Sequence, residues 1–157
     1  MSDEQEVTDM QVDRALEDNR EALHTMIVFR HAHKTLVTRE MPVLHDYGLT
    51  PAQFGVLDVL RAKGKMKIGH IIDSLFMTPG NMTVVIRNME RDGLIKRSTC
   101  ENDKRVSYIE LTQRGRKLIN KALYDHAYNV GRLMRVLSSE EQEQLTSLLK
   151  KFKIHER

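Results

Sequence analysis

The stretch Thr78–Asp92, TPGNMTVVIRNMERD, constrains the fold more than any other part of the chain. Thr78 can cap a helix amino end, and Pro79 fits the first helical position, where its missing N–H costs nothing. Gly93 then stops the helix, because the left-handed conformation after a last turn is easiest for glycine. Between these signals Met82, Val85, Ile86 and Met89 recur at helical spacing and mark a buried face. A rotation of ~100° per residue puts Gly80, Val84, Arg87 and Arg91 opposite that stripe, with Asn81, Thr83 and Asn88 on its flanks. The outer face is basic, carries amides and hydroxyls, and is almost free of acid. Its donors suit phosphates and base edges, Gly80 admits a close backbone, and Val84 suits a thymine methyl. A merely solvated face would have a similar composition, so its neighbours must decide.

Before it, Thr50 caps a helix with Pro51 at the first position and Gln53 three residues past the cap. That helix carries Phe54, Val56, Leu57, Val59 and Leu60 and stops near Gly64. Arg61, Lys63, Lys65 and Lys67 cluster at the turn. A short helix from Ile68 to Leu75, weakly capped by Lys67, leads through a tight connection into the Thr78 helix, which is a helix-turn-helix arrangement. After Gly93, residues 94–98 (LIKRS) and 106–111 (VSYIEL) read as two short strands around a polar tip, 99–105 (TCENDKR). A strand, tip and strand directly after a helix-turn-helix describe a winged helix, whose tip follows the DNA backbone and can place an arginine in the minor groove.

The run from Leu49 through Lys117, above all GNMTVVIRNMERDGLIKRSTCENDKRVSYIELTQRGRKL, resembles the MarR family of bacterial transcription regulators. The shared features include the Asp-x-Arg wing signature at Asp103, Lys104 and Arg105 and the Leu-Thr-x-x-Gly of Leu111, Thr112 and Gly115. Length and element order agree, so the resemblance covers nearly the whole chain. It implies a dimeric winged helix-turn-helix that is mainly α with a small two- to three-stranded antiparallel wing. The residues of the outer face assign DNA contacts to Thr78, Gly80, Asn81, Thr83, Val84 and Arg87 on the reading helix, and the resemblance adds Asp103, Lys104 and Arg105 in the wing. Arg105 would be the minor-groove arginine and Asp103 the carboxylate holding its guanidinium, a planar pairing that lysine cannot copy. The sequence departs from the family pattern at Val84, where arginine is common, at Arg87, where an acid is common, and at Lys67, which replaces a Ser or Thr cap. Base preference in the major groove therefore does not carry over.

Charge supports the same division of labour. Lys and Arg number 25 against 22 for Asp and Glu. Residues 1–21 hold eight acids and two bases, whereas residues 84–121 hold ten bases and five acids. The middle of the chain would attract a polyanion and the amino end would be repelled by it. Residues 1–10 read as a disordered acidic tail. A helical pattern then runs from about Gln11 to Met41, where Pro42 is expected to break it. Thr112 opens another helix to about Val136, and Ser138 with Glu141 caps a last one whose Leu145, Leu148, Leu149 and Phe152 are expected to face inward. Residues 11–46 and 112–157 thus form a helical dimerisation region around a winged helix-turn-helix DNA-binding domain at 47–111. Long apolar stripes in helices outside the small domain ask for a partner, most simply a second copy.

Other chemistries find less support. An acidic amino terminus, a single cysteine and the lack of an apolar run of ~20 residues point to a cytoplasmic protein without a membrane partner. His31 and His33 fall ~200° apart on a helix, His24 and His31 lie about two turns apart, and His126 has no histidine four residues away, so no metal is assigned. Cys100 lies among Lys96, Arg97 and Lys104, whose charges would lower its pKa, although an ordinary exposed thiol is the simpler reading. No phosphate loop, zinc-protease motif or nucleophile setting suggests an enzyme. No cofactor is expected. By the resemblance a small anionic or phenolic effector, of unknown identity, would bind near the junction of the dimerisation helices and the winged helix. His31, His45 and Tyr47 are candidates there and equally plausible packing residues. A winged helix that recognises protein instead of DNA is the alternative function.

Overall fold

The computed structural model describes residues 7–75, 78–99 and 107–152. Helices α1 (Asp9–Asp18), α2 (Arg20–Asp46) and α3 (Pro51–Lys63) are followed by β1 (Met66–Lys67), α4 (Ile68–Leu75), α5 (Pro79–Arg91), β2 (Ile95–Thr99), β3 (Ser107–Leu111), α6 (Gln113–Met134) and α7 (Ser139–Lys150). The chain forms two compact units, Met1–Arg39 and Glu40–Arg157. The fold is mainly α with one three-stranded antiparallel sheet. Among the described residues no helix is long and apolar enough to cross a membrane.

In the first unit the helix begins earlier than its periodicity suggests. Thr8 accepts from Gln11 N while Gln11 Oε1 accepts from Thr8 N, a capping box that makes Asp9 and Met10 helical rather than part of a disordered tail. The long helix expected from Gln11 to Met41 is also two helices. Asn19 turns out of the helical region (φ −115°, ψ 14°), its side-chain amide donating to Ala15 O at 2.8 Å. Asn competes for backbone hydrogen bonds in this way, and the break follows.

Pro42 does not end α2, which continues to Asp46. A proline this close to a helix end removes one i→i−4 bond and leaves the following turn intact. That turn is anchored because Leu44 is buried and its carbonyl accepts from Tyr47 N and Leu49 N.

The core of the second unit gathers Val56, Leu57 and Leu60 of α3, Ile71 of α4, Met82, Ile86 and Met89 of α5, Ile109 of β3, and Ile119 and Ala122 of α6. Thr50 and Gln53 form the expected capping box at the start of α3, and Gly64 (φ 75°) ends it. β1 escapes a reading based on periodicity, which two residues cannot display. It pairs with β3, Met66 opposite Ile109 and Lys67 opposite Tyr108, in the strand order β1-β3-β2. α7 carries the Ser138–Glu141 capping box. Its apolar stripe is not inward-facing, however: Leu145, Leu148, Leu149 and Phe152 are all exposed, and no residue of α7 is buried.

Candidate nucleic-acid interface

α5 has two chemically different sides. Met82, Ile86 and Met89 have no exposed surface and lock the helix to the core. Each such burial contributes ~2 kcal/mol, which fixes the rotation of the helix about its axis. That rotation leaves Gly80, Asn81, Thr83, Val84 and Arg87 exposed, Val84 at 46%. An added Cβ at Gly80 would meet nothing within 4 Å, so internal packing does not require a glycine there. Among the described residues Arg87 has no ion-pair partner.

Thr78 occupies the N-cap position with extended backbone (φ −79°, ψ 146°), but its side chain makes no capping hydrogen bond. The expected side-chain cap is replaced by Pro79 and by the first helical bond, Met82 N to Thr78 O at 3.1 Å. Pro79 already fixes its own φ and removes one orphan donor, so the hydroxyl is not needed for the helix start.

At the carboxyl end Gly93 (φ 68°) turns the chain from α5 into β2, as its sequence position indicates. The strand is then tied back to the helix by a contact that local sequence patterns do not reveal. Arg97 Nε donates to Glu90 Oε1 at 3.1 Å and its Nη2 to Glu90 Oε2 at 3.0 Å, a two-pronged pairing of planar groups. This bond to the carboxylate holds the Arg97 guanidinium even more firmly protonated than usual.

Lys96 pairs with Glu110 across the sheet at 3.3 Å, and Arg91 with Asp92 at 3.1 Å. The cationic middle of the sequence is therefore partly neutralised within the fold. Counting charges along the chain misses this because Glu90 and Arg97 lie on different elements. Asp103, Lys104 and Arg105, like Cys100, lie outside the described residues. β2 and β3, which carry that segment, are in register from Ile95–Leu111 to Thr99–Ser107.

A second link joins the strands to α6. Thr112 Oγ1 donates within reach of two carbonyls, Gly93 O at 2.7 Å and Leu94 O at 3.1 Å, and accepts from Gly115 N at 3.0 Å to cap α6. Elsewhere in this unit, Tyr47 donates from its hydroxyl to Asp125 on α6, and this hydrogen bond raises the tyrosine pKa. His45 is exposed. His126 Nε2 lies 3.3 Å from Glu40 Oε1 and its ring packs 4.7 Å from that of Phe54. Among the described residues no three His, Cys, Asp or Glu side chains are placed to hold a metal ion.

Residues 49–107 match the MarR family model. The HTH-type transcriptional regulator YkoM of Bacillus subtilis is 34% identical over 139 residues, 88% of this chain and 90% of that protein. The homoprotocatechuate degradative operon repressor of Escherichia coli is 27% identical over 126 residues, covering 80% and 85% of the two chains. The structure is similar to that of S. aureus MepR in complex with DNA, with a TM-score of 0.74 and 27% identity over 81% of this chain and 94% of that one. With its buried-and-presented α5, the paired strands that follow and relatives aligned along most of its length, the chain belongs to the MarR family of helix-turn-helix transcriptional regulators.

Proposed function

We propose that the protein is a sequence-specific double-stranded DNA-binding regulator, acting as a homodimeric repressor on a pseudo-palindromic operator and released by a small-molecule effector. The observation that carries the reading is α5: three residues without exposed surface fix its rotation, and Asn81, Thr83, Val84 and Arg87 stand on its open side. MepR bound to DNA and the E. coli operon repressor support it as relatives. In this reading Thr78, Gly80, Asn81, Thr83, Val84 and Arg87 meet the major groove, Val84 and Arg87 choose bases, and Asp103, Lys104 and Arg105 serve the minor groove and its phosphates. Repeated selection from a random duplex pool tests it. The enriched sequences should contain two inverted half-sites about 10 base pairs apart, one helical turn. Failure to enrich any sequence, or enrichment of a single unrepeated site, would overturn it.

The Glu90–Arg97 pair gives a second test with an informative sign. Glu90→Gln removes a negative charge from the reading helix, so simple electrostatics predicts tighter binding to DNA. If the pair sets the angle between α5 and the wing, operator affinity should instead fall about 3- to 10-fold, at a stability cost of only ~1 kcal/mol for a partly exposed pair. Fluorescence anisotropy with the selected duplex and a urea unfolding curve report the two quantities separately. Tighter binding by the variant would rule out a positioning role.

A further inference from the structure

Residues 61–67 carry four bases, Arg61, Lys63, Lys65 and Lys67, outside the reading helix and the wing tip. Among the described residues none of them has a carboxylate within ion-pair distance, whereas Arg91, Lys96 and Arg97 each do. Two of the four are bonded to neighbouring helices: Arg61 Nε donates to Asn120 Oδ1 at 2.7 Å and Lys63 Nζ to Ser74 Oγ at 3.3 Å. Of the other two, Lys67 ends β1, where the register locates it, and Lys65 lies in the bend just before that strand.

Lys67 is opposite Tyr108, which is opposite Ser98 on its other side, so these three side chains share one face of the sheet. The adjacent rung holds Ile109, which is fully buried, so the face with Lys67 and Tyr108 is the outer one. Lys65, in the bend before β1, is brought to this face by its side chain, whose Nζ stands 5.2 Å from the centre of the Tyr108 ring. Lys96 also lies on this face but is neutralised by Glu110. Among the described residues, Lys65 and Lys67 are thus its uncompensated charge. Thr99–Ser107 is the last pair before residues 100–106, and the Lys67–Tyr108–Ser98 rung is the next one. With ~3.4 Å along a strand and ~4.8 Å between strands, the Lys67 backbone lies ~6 Å from Ser107, where the segment containing Arg105 rejoins the sheet.

The geometry points to a second anion-binding surface, formed by Lys65 and Lys67 with Tyr108 on the outer face of the sheet, that takes the phosphodiester backbone of duplex DNA beside the wing tip. It rests on the DNA-binding reading and adds to it an interaction that is indifferent to sequence. Ammonium groups serve as point charges for phosphate, and the Tyr108 ring holds the Lys65 ammonium near the tip end of the sheet.

The test compares wild type with Lys65→Gln/Lys67→Gln by anisotropy titration over several salt concentrations. The probes are a duplex enriched by selection with the wild type and an unrelated duplex of the same length. The plot of log K against log salt should become shallower by ~0.9 for each phosphate that is no longer neutralised, and affinity at ~0.15 M salt should fall about 5-fold for each. Both duplexes should weaken equally, leaving the preference between them unchanged. Lys65→Arg/Lys67→Arg should keep the wild-type slope. Lys150→Gln/Lys151→Gln, which removes the same charge from the carboxyl-terminal helix, should keep it too. A wild-type slope in the Lys65→Gln/Lys67→Gln protein, or an equal weakening in the Lys150→Gln/Lys151→Gln protein, would overturn the inference. A wild type that enriches no duplex would overturn the DNA-binding reading and this surface with it.

Discussion

Gly115→Ala is expected to destabilise the protein by roughly 4 kcal/mol and lower its unfolding midpoint by about 10 °C, the largest effect expected of an alanine at any of its glycines. A Cβ at Gly115 would lie 2.0 Å from Leu94 O, 2.9 Å from Leu94 C and 3.3 Å from Leu94 Cα. All three are backbone atoms, so no rotamer change relieves the overlap. Leu94 cannot move away cheaply either, because it is buried and its carbonyl accepts from Thr112 N at 3.1 Å. Restoring ordinary van der Waals separation requires a shift of more than ~1 Å, which would pull apart the Thr112 bonds to Gly93 and Leu94.

Gly69→Ala is the matched comparison, since a Cβ there meets nothing within 4 Å; its effect should stay within ~0.5 kcal/mol or be slightly stabilising. Urea and thermal unfolding of both variants, at one protein concentration, measure the difference. Equal midpoints for the two alanine variants would mean that the α6–β2 approach yields easily.

That approach also marks the limit of what sequence reading reaches. The spacing of Leu111, Thr112 and Gly115 is visible as a pattern, but its cause is Leu94, which comes close only once β2 and β3 have paired. Features whose partners lie within one turn are legible. The Thr50–Gln53 and Ser138–Glu141 boxes, the Gly93 stop and the apolar stripe of α5 all stand where their local chemistry puts them.

Local signals fail where two of them compete. Asn19 breaks a periodic helix through its own side chain, and Pro42 is overridden by the burial of Leu44 one turn from the helix end. β1 is too short to have a period. The candidate site divides in the same manner. The exposed face of α5 follows from a 3.6-residue repeat, whereas the Glu90–Arg97 pairing and the approach of Lys65 to Tyr108 join elements whose proximity is tertiary.

On the proposal of a DNA-binding homodimer, Leu145→Glu/Leu149→Glu is expected to leave a monomer and to reduce operator affinity by about 100-fold or more. A helix of 12 residues is marginal alone in water, capping box notwithstanding, and α7 buries none of its residues in the single chain. Yet Leu145, Leu148, Leu149 and Phe152 recur at helical spacing on one side, with Leu148 at 55% and Phe152 at 71% exposure. α1 and α2 present the same situation independently, with Leu16, Leu23, Met26 and Ile27 all exposed.

Apolar surface of this extent is covered in a stable protein, and a closed two-fold pairing covers identical patches on both copies at once. Two glutamates per protomer then place four charges in the shared interface, at several kcal/mol for each one left unpaired. Because these side chains do not support the core of their own protomer, the variant should keep its folded core, with any loss of helical circular dichroism confined to the uncovered terminal helices. Sedimentation should show the mass halved. Binding to a duplex with both half-sites should fall to the level of one half-site, since the second half of the dimer is no longer delivered at high effective concentration. A variant that sediments as the wild type does would mean that α7 is covered by something other than a second copy.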